Sequence, residues 1–231
     1  MTSQSGYHSW RFRAEAPDRH IVFPDGCWDV LLIRGPDDGS DGGGRRRRSA
    51  PRIRLTAFDL RPRPVVFAAG TEILGYRLRP GAALSPRLLA AIAAHPERAG
   101  SILAEEGGAW GERDDAIMAL TAPGATVRSV ARTLGVSART IERHFIAEGL
   151  PSPEYWRLLA RARRAARRLA APGALAEIAI ECGFSDQAHM TRDCVRWFGI
   201  PPARLRRDAV SLALLAQPAL GNWTGEQIST R

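Results

Sequence analysis

Cys182, His189 and Cys194 carry atoms that could ligate zinc, and they lie close together in the chain. Structural zinc sites use cysteine pairs separated by only two to four residues, and this spacing supplies none. Both cysteines fall instead where a helical repeat would bury them, so neither a metal nor any other cofactor is expected. Cys27 stands beside Pro24-Asp25-Gly26 and Trp28. A thiol sensor needs a stabilised thiolate, and nothing in its neighbours supplies one, so a packing or turn role is expected. His20, Asp25 and Asp29 offer the groups of acid–base catalysis. No nucleophile elbow, phosphate loop or paired metal motif accompanies them, and no catalytic residue is assigned. Trp10, Trp28 and Tyr76 could line an effector pocket, but aromatic residues of a small sheet more often fill its core.

The remaining chemistry is that of arginine. Every one of the 33 basic residues is arginine, set against 24 acidic residues for a formal charge of +9. The guanidinium fork suits phosphate and base edges alike. Residues 121–209 hold 15 of the arginines and 8 acidic residues. Nucleic acid is therefore the leading partner on charge, with a generic basic surface as the plainer reading. Arg45 to Arg48 form a run in a Gly- and Asp-rich tract, where a solvated loop is expected.

An internal repeat positions those arginines. Val127, Val130, Ala131, Leu134 and Gly135 match Leu175, Ile178, Ala179, Cys182 and Gly183 at an offset of 48 residues. The apolar spacing gives each copy one buried helical face, and a glycine follows where the chain must turn tightly. Ser137 is placed to cap the next helix; in the second copy Ser185 and Asp186 both could. Farther on, Ile141, Arg143 and Phe145 match Met190, Arg192 and Cys194 at an offset of 49. Each copy reads as helix, tight turn, helix. Between them, Ser152 as cap and Pro153 in the first turn predict a connector helix. Its apolar stripe is Tyr155, Leu158, Leu159, Ala162, Ala166 and Leu169, and Arg157, Arg161, Arg163, Arg164, Arg167 and Arg168 are expected to make the rest of its surface basic.

With these copies in hand, the chain resembles the AraC/XylS family of bacterial transcription regulators over roughly residues 120–208. The Ala179-x2-Cys182-Gly183-Phe184 and Phe198-Gly199-Ile200-Pro201-Pro202 elements carry the resemblance. It implies seven helices and two helix-turn-helix units that enter successive major-groove segments of double-stranded DNA. By motif position, the first recognition helix would present Arg139, Glu142 and Arg143, and the second Gln187, Ala188, His189 and Arg192. Arg139 and Gln187 would read bases, Arg143 and Arg192 could hold phosphate, and Ala188 could touch only a thymine methyl. Cys194 replaces the aromatic core residue usual in the family, which loosens the second unit unless Trp197 and Phe198 compensate. The resemblance also implies activation, with RNA polymerase as a further partner.

The N-terminal part resembles, less strongly, a short regulator-associated domain, through Phe23 to Asp29 and Gly75 to Gly81. Strand-like runs at 11–23, 28–33, 53–58, 64–68 and 73–78, broken by proline and glycine, predict a small antiparallel sheet or partial barrel. Helical patterns follow at 84–94, 97–103 and 114–120. The expected fold class is thus α+β. A β-rich sensory or interaction domain (1–85) precedes a helical connector (86–120), an all-α DNA-binding domain of about seven helices (121–208) and a tail (209–231). A small-molecule effector and a homodimer are candidate partners of the first domain; a coupled enzymatic activity or a purely oligomerising role are its alternatives. Three scattered cysteines fit a reducing compartment. The polar start and the short apolar run at 212–220 predict neither a leader nor a membrane span, and the cytoplasm is the expected location.

Overall fold

The computed structural model describes residues 6–35, 50–82, 84–106 and 110–224; the arginine run at 45–48 lies outside them. The strands are β1 (Tyr7–Arg13), β2 (Asp18–Val22), β3 (Asp29–Arg34), β4 (Arg52–Leu55), β5 (Arg63–Phe67) and β6 (Glu72–Leu78). The helices are α1 (Pro86–Ala94), α2 (Ala99–Glu106), α3 (Glu112–Thr121), α4 (Val127–Thr133), α5 (Ala138–Ala147), α6 (Pro153–Leu169), α7 (Leu175–Glu181), α8 (Gln187–Phe198), α9 (Pro202–Leu205) and α10 (Ala209–Ala216). A 3-10 turn at Pro96–Arg98 joins α1 to α2. The class is α+β.

Period-two alternation divides the N-terminal sheet, ordered β1-β6-β3-β4 and antiparallel throughout, into two unlike faces. On one face Val30, Leu32, Tyr76 and Leu78 are buried against Leu88, Ile92, Ile102 and Leu103 of the α1–α2 hairpin. On the other, the Trp10 ring lies flat over Gly75, so close that an added Cβ would come within 2.1 Å of it. Phe12 there meets Phe67 of the β2–β5 ribbon, ring centroids 5.0 Å apart. The ribbon folds over the end of the sheet, as a partial barrel requires.

The second core surrounds α6. Trp156, Leu159, Ala162, Ala165 and Ala166 of that helix are fully buried among side chains of α3, α4, α5, α7, α8 and α9. Ala116, Ile117 and Leu120 belong to this core. The segment read from sequence as a connector therefore contributes α3 to the helical domain, and α3 to α9 make up its seven helices. The stretch after residue 208 also folds back: Leu215, Ala219 and Leu220 are buried, and the Leu220 amide donates to the Asp25 carbonyl at 3.0 Å.

Three kinds of contact lock the domains together. Arg79 forks onto Asp114 of α3 at 2.9 and 3.3 Å, both side chains almost wholly buried. Breaking such a pair strands a charge and ordinarily costs about 3–5 kcal/mol. Phe23 meets Phe198 edge-on, and Phe58 meets Trp156. Finally, Arg163 donates to the carbonyls of Leu215, Gln217 and Leu220 at 3.0–3.2 Å and of Pro24 at 3.5 Å. Burial pulls its pKa down to about 10, which leaves it charged at neutral pH.

Arg163 corrects the expectation of a basic connector surface. Only 1% of it is exposed, and none of the other five arginines of α6 is fully exposed either. Arg157 pairs with Glu154, Arg161 with Asp193 and Arg168 with Glu181, while Arg164 and Arg167 donate to the carbonyls of Thr121 and Gly221. The helix uses its cations to hold its neighbours. Its start also differs from expectation: Pro153 opens the first turn, but the Ser152 side chain makes no capping hydrogen bond.

Candidate nucleic-acid interface

The two helix-turn-helix units repeat down to single hydrogen bonds. After α4, the Gly135 amide donates to Arg132 and the Val136 amide to Ala131; after α7, Gly183 donates to Ile180 and Phe184 to Ala179. This is the paired-bond helix stop that needs a left-handed residue, and Gly135 and Gly183 supply it at φ +69° and +83°. Ser137 Oγ then accepts from the Thr140 amide. In the second unit the choice left open by the sequence falls to Asp186, whose Oδ1 accepts from the His189 amide at 2.6 Å.

On α5, Ile141 and Phe145 are buried, which turns Arg139, Glu142 and Arg143 outward. All three are exposed, and among the described residues none is held by an ion pair or side-chain hydrogen bond. On α8, burial of Met190, Cys194, Trp197 and Phe198 turns out Gln187, Ala188 and Arg192. Arg192 is equally unpaired. Guanidinium groups held this way are free to donate to phosphate or to base edges.

His189 is placed differently. It is half-buried, with Nδ1 2.9 Å from Ser185 Oγ, Nε2 2.9 Å from Arg161 Nη2 and its ring edge-on to Phe184. A guanidinium only donates, so Nε2 accepts and Nδ1 carries the proton given to Ser185. Arg161 also binds Asp193 at 2.7 Å and covers the Phe184 ring at 4.4 Å. Nε2 of His189 thus serves the attachment of α8 to α6, while Nδ1 is bound within the turn that opens α8.

The structure also adds residues that the motif did not. Ile146 is 73% and Val195 46% exposed, one turn beyond Arg143 and Arg192 on the outward faces. They are 49 residues apart, the offset already relating the two second helices, so extending the repeat by one turn would have found them. Thr191, its hydroxyl bound to the Gln187 carbonyl, stands opposite Glu142 in the same register.

Other candidate sites resolve less favourably. Asp25 and Asp29 do meet, but on Arg77, which binds both at 2.9–3.1 Å, whereas His20 pairs with Asp18 on the ribbon. Cys27 is buried, and burial with the Asp25 charge pushes its thiol well up, the reverse of a reactive thiolate. Burial holds Cys194 up at about 12 and raises Cys182 also. Trp10, Trp28 and Tyr76 do not converge: they pack on Gly75, Phe58 and Tyr7 respectively. Among the described residues no group of three His, Cys, Asp or Glu side chains is arranged to hold a metal, and no helix is long and apolar enough to cross a membrane.

A family model described as a helix-turn-helix domain matches residues 130–208, which takes in both turns and both outward faces. The helical half of this chain is similar to helix-turn-helix domains of transcriptional regulators. The HTH-type transcriptional regulator VirS of Mycobacterium tuberculosis is 40% identical over 84 residues, 35% of this chain. The match spans about a quarter of that relative, 24% of its length. An AraC-type transcriptional regulator from Chromobacterium violaceum is 28% identical, covering 45% of this chain and 91% of that one, with a TM-score of 0.37. ToxT from Vibrio cholerae covers 91% of this chain and 99% of its own at 8% identity and a TM-score of 0.46. The matched span takes in both turns and the central helix between them.

Proposed function

We propose that this protein is a sequence-specific regulator of transcription, an activator, that reads adjacent major-groove segments with α5 and α8. The observation that carries the reading is the pair of outward faces just described, on helices fixed by the same turn and unpaired within the protein. Arg139 and Gln187 read bases; Arg143 and Arg192 hold phosphates; Ile146, Ala188 and Val195 meet thymine methyl groups. Glu142 accepts from a cytosine amino group. His189 acts through the seating of α8.

Selection from a random duplex library with the full chain tests this directly. A single enriched motif with two half-sites about one helical turn apart is expected, and folded protein that enriches nothing overturns the reading. Arg139→Ala and Gln187→Ala should each relax one half-site, whereas Arg143→Ala should weaken all duplexes together and lower the salt slope by about one.

In this reading the protein works in the cytoplasm and activates through RNA polymerase, which a reporter driven from the selected site measures. Two readers in one chain span both groove segments without a second copy, so sedimentation with and without duplex tests the homodimer separately.

A further inference from the structure

The outward row of α8 does not end with the helix. Arg192 and Gly199, the residue that caps α8, lie seven positions apart. Seven residues are close to two helical turns, so the two share a face about 10 Å apart along the axis. Against Gly199 sits Pro62 of the N-terminal domain, its Cγ 3.3 Å from where a Cβ on that glycine would stand. The loop between β4 and β5 is thereby brought into line with the face that Arg192 begins.

That loop is firmly held at its base. The Phe58 ring packs between Trp28 and Trp156, with centroids 4.3 and 5.3 Å away. The Asp59 carbonyl accepts from the Tyr155 hydroxyl at 3.2 Å, and the Asp59 carboxylate is taken by Arg63 at 3.0 Å. At the bend itself Arg61 is exposed, and among the described residues it has no ion-pair or hydrogen-bond partner. Arg196, one turn before Gly199, is exposed as well and lies over the Trp197 ring at 4.9 Å. Glu154 feels the charge of Arg196 but is already bound by Arg157 at 2.9 Å. Two cations from different domains thus stand beside the end of α8 with no carboxylate of the protein to neutralise them.

We propose that Arg61, with Arg196 beside it, binds a backbone phosphate of DNA flanking the segment read by α8, so that the N-terminal domain is itself a DNA-contacting element. The inference rests on the reading of α8 as a groove-entering helix. Such a helix meets base edges with its first residues, and its far end emerges at the rim of the groove, where the sugar–phosphate backbone runs. A guanidinium fork there donates to phosphate oxygens. The contact carries no sequence information; it adds affinity and salt dependence on every duplex alike. It also ties DNA affinity to the seating of the sheet domain.

Fluorescence anisotropy of the full chain on a labelled duplex carrying the selected site, repeated over a series of salt concentrations, tests the contact. Arg61→Gln should weaken binding severalfold and flatten the slope of log affinity against log salt by about 0.9, the share of one phosphate. Arg61→Lys should restore the slope. Arg87→Gln removes the same charge from an exposed position on α1 and should leave the slope as it was. Because Arg61 is exposed and unpaired, its variants should melt with the wild type, which separates a lost contact from a lost fold. A neutral methylphosphonate linkage, stepped through the backbone beyond the α8 half-site, should at one position bring the wild type down to Arg61→Gln while costing that variant nothing further. An unchanged slope in Arg61→Gln, an equal flattening in Arg87→Gln, or a gap that no neutral linkage closes overturns the proposal. If library selection yields a motif and the slope does not move, only this contact falls. If selection yields none, the same slope comparison on one random-sequence duplex still decides it.

Discussion

The two helix-turn-helix units share their turns but not their foundations. The second helix of the first unit, α5, buries only Ile141 and Phe145 and is tied at its far end by an Arg113–Glu148 ion pair. That of the second, α8, is two residues longer, buries five side chains including Trp197 and Phe198, and is clamped near its start by Arg161. The sheet domain rests on the second unit through Phe23 and Phe198, whereas it reaches the first through α3, where Arg79 meets Asp114. A helix-turn-helix motif can thus be duplicated in backbone while its copies are specialised in attachment. The first unit sits on a light mount; the second is built into the body of the protein.

Phe198→Ala is the strongest way to break this comparison. It should cost about 3–5 kcal/mol in urea unfolding, and hydrogen exchange should quicken at residues 23–33 as well as in α8. Ile141→Ala, at a buried position of α5, should leave exchange in the sheet as it was. Equal loosening of the sheet by both variants would dissolve the distinction.

Arg161→Met comes next. It leaves Asp193 buried without its cation and His189 without its donor, an expected loss of about 2–3 kcal/mol. The half-site read by α8 should lose discrimination while that read by α5 keeps it. If both half-sites weaken alike in a binding-site selection, Arg161 is not seating the second reader alone.

A smaller effect should appear in the pH dependence of stability. Burial raises the Asp25 pKa despite the opposing charge of Arg77, so the folded chain holds this proton at pH values where the unfolded chain has released it. Across the window from the ordinary aspartate range up to the raised value, stability should fall as pH rises. Asp25→Asn should flatten that slope, and an unchanged slope would show that the junction does not sense this group. Smallest of all, Arg113→Ala should cost under about 1 kcal/mol, because its ion pair with Glu148 is partly exposed; a larger loss would mean that the first mount is firmer than its geometry implies.

The features legible in the sequence were those written in local spacing. Gly135 and Gly183, the Ser137 cap and the alternation of β3 and β6 each depend on residues a few positions apart. The position of Cys194 was legible, but the fate of its unit was not. Met190, Trp197 and Phe198 close around it, and Phe23, distant in sequence, completes the packing. The arginines of α6 were misread for a similar reason: composition shows charge, not depth. Arg163 is buried because its carbonyl partners come from residues 24 and 215–220, and no periodicity within α6 encodes them. His189 was expected on the outward face of α8 by its motif position, yet Arg161, twenty-eight residues earlier, holds its Nε2 within the protein.

The carbonyl cage of Arg163 also orders events in time. During synthesis the Pro24 carbonyl emerges first, the guanidinium much later, and the carbonyls of Leu215, Gln217 and Leu220 last of all. A nascent chain that has reached residue 208 already contains both readers, but its central cation has met only one of its four partners. The segment beyond residue 208 therefore completes the core last, and a chain broken off before it would lack three of the four carbonyls that hold Arg163.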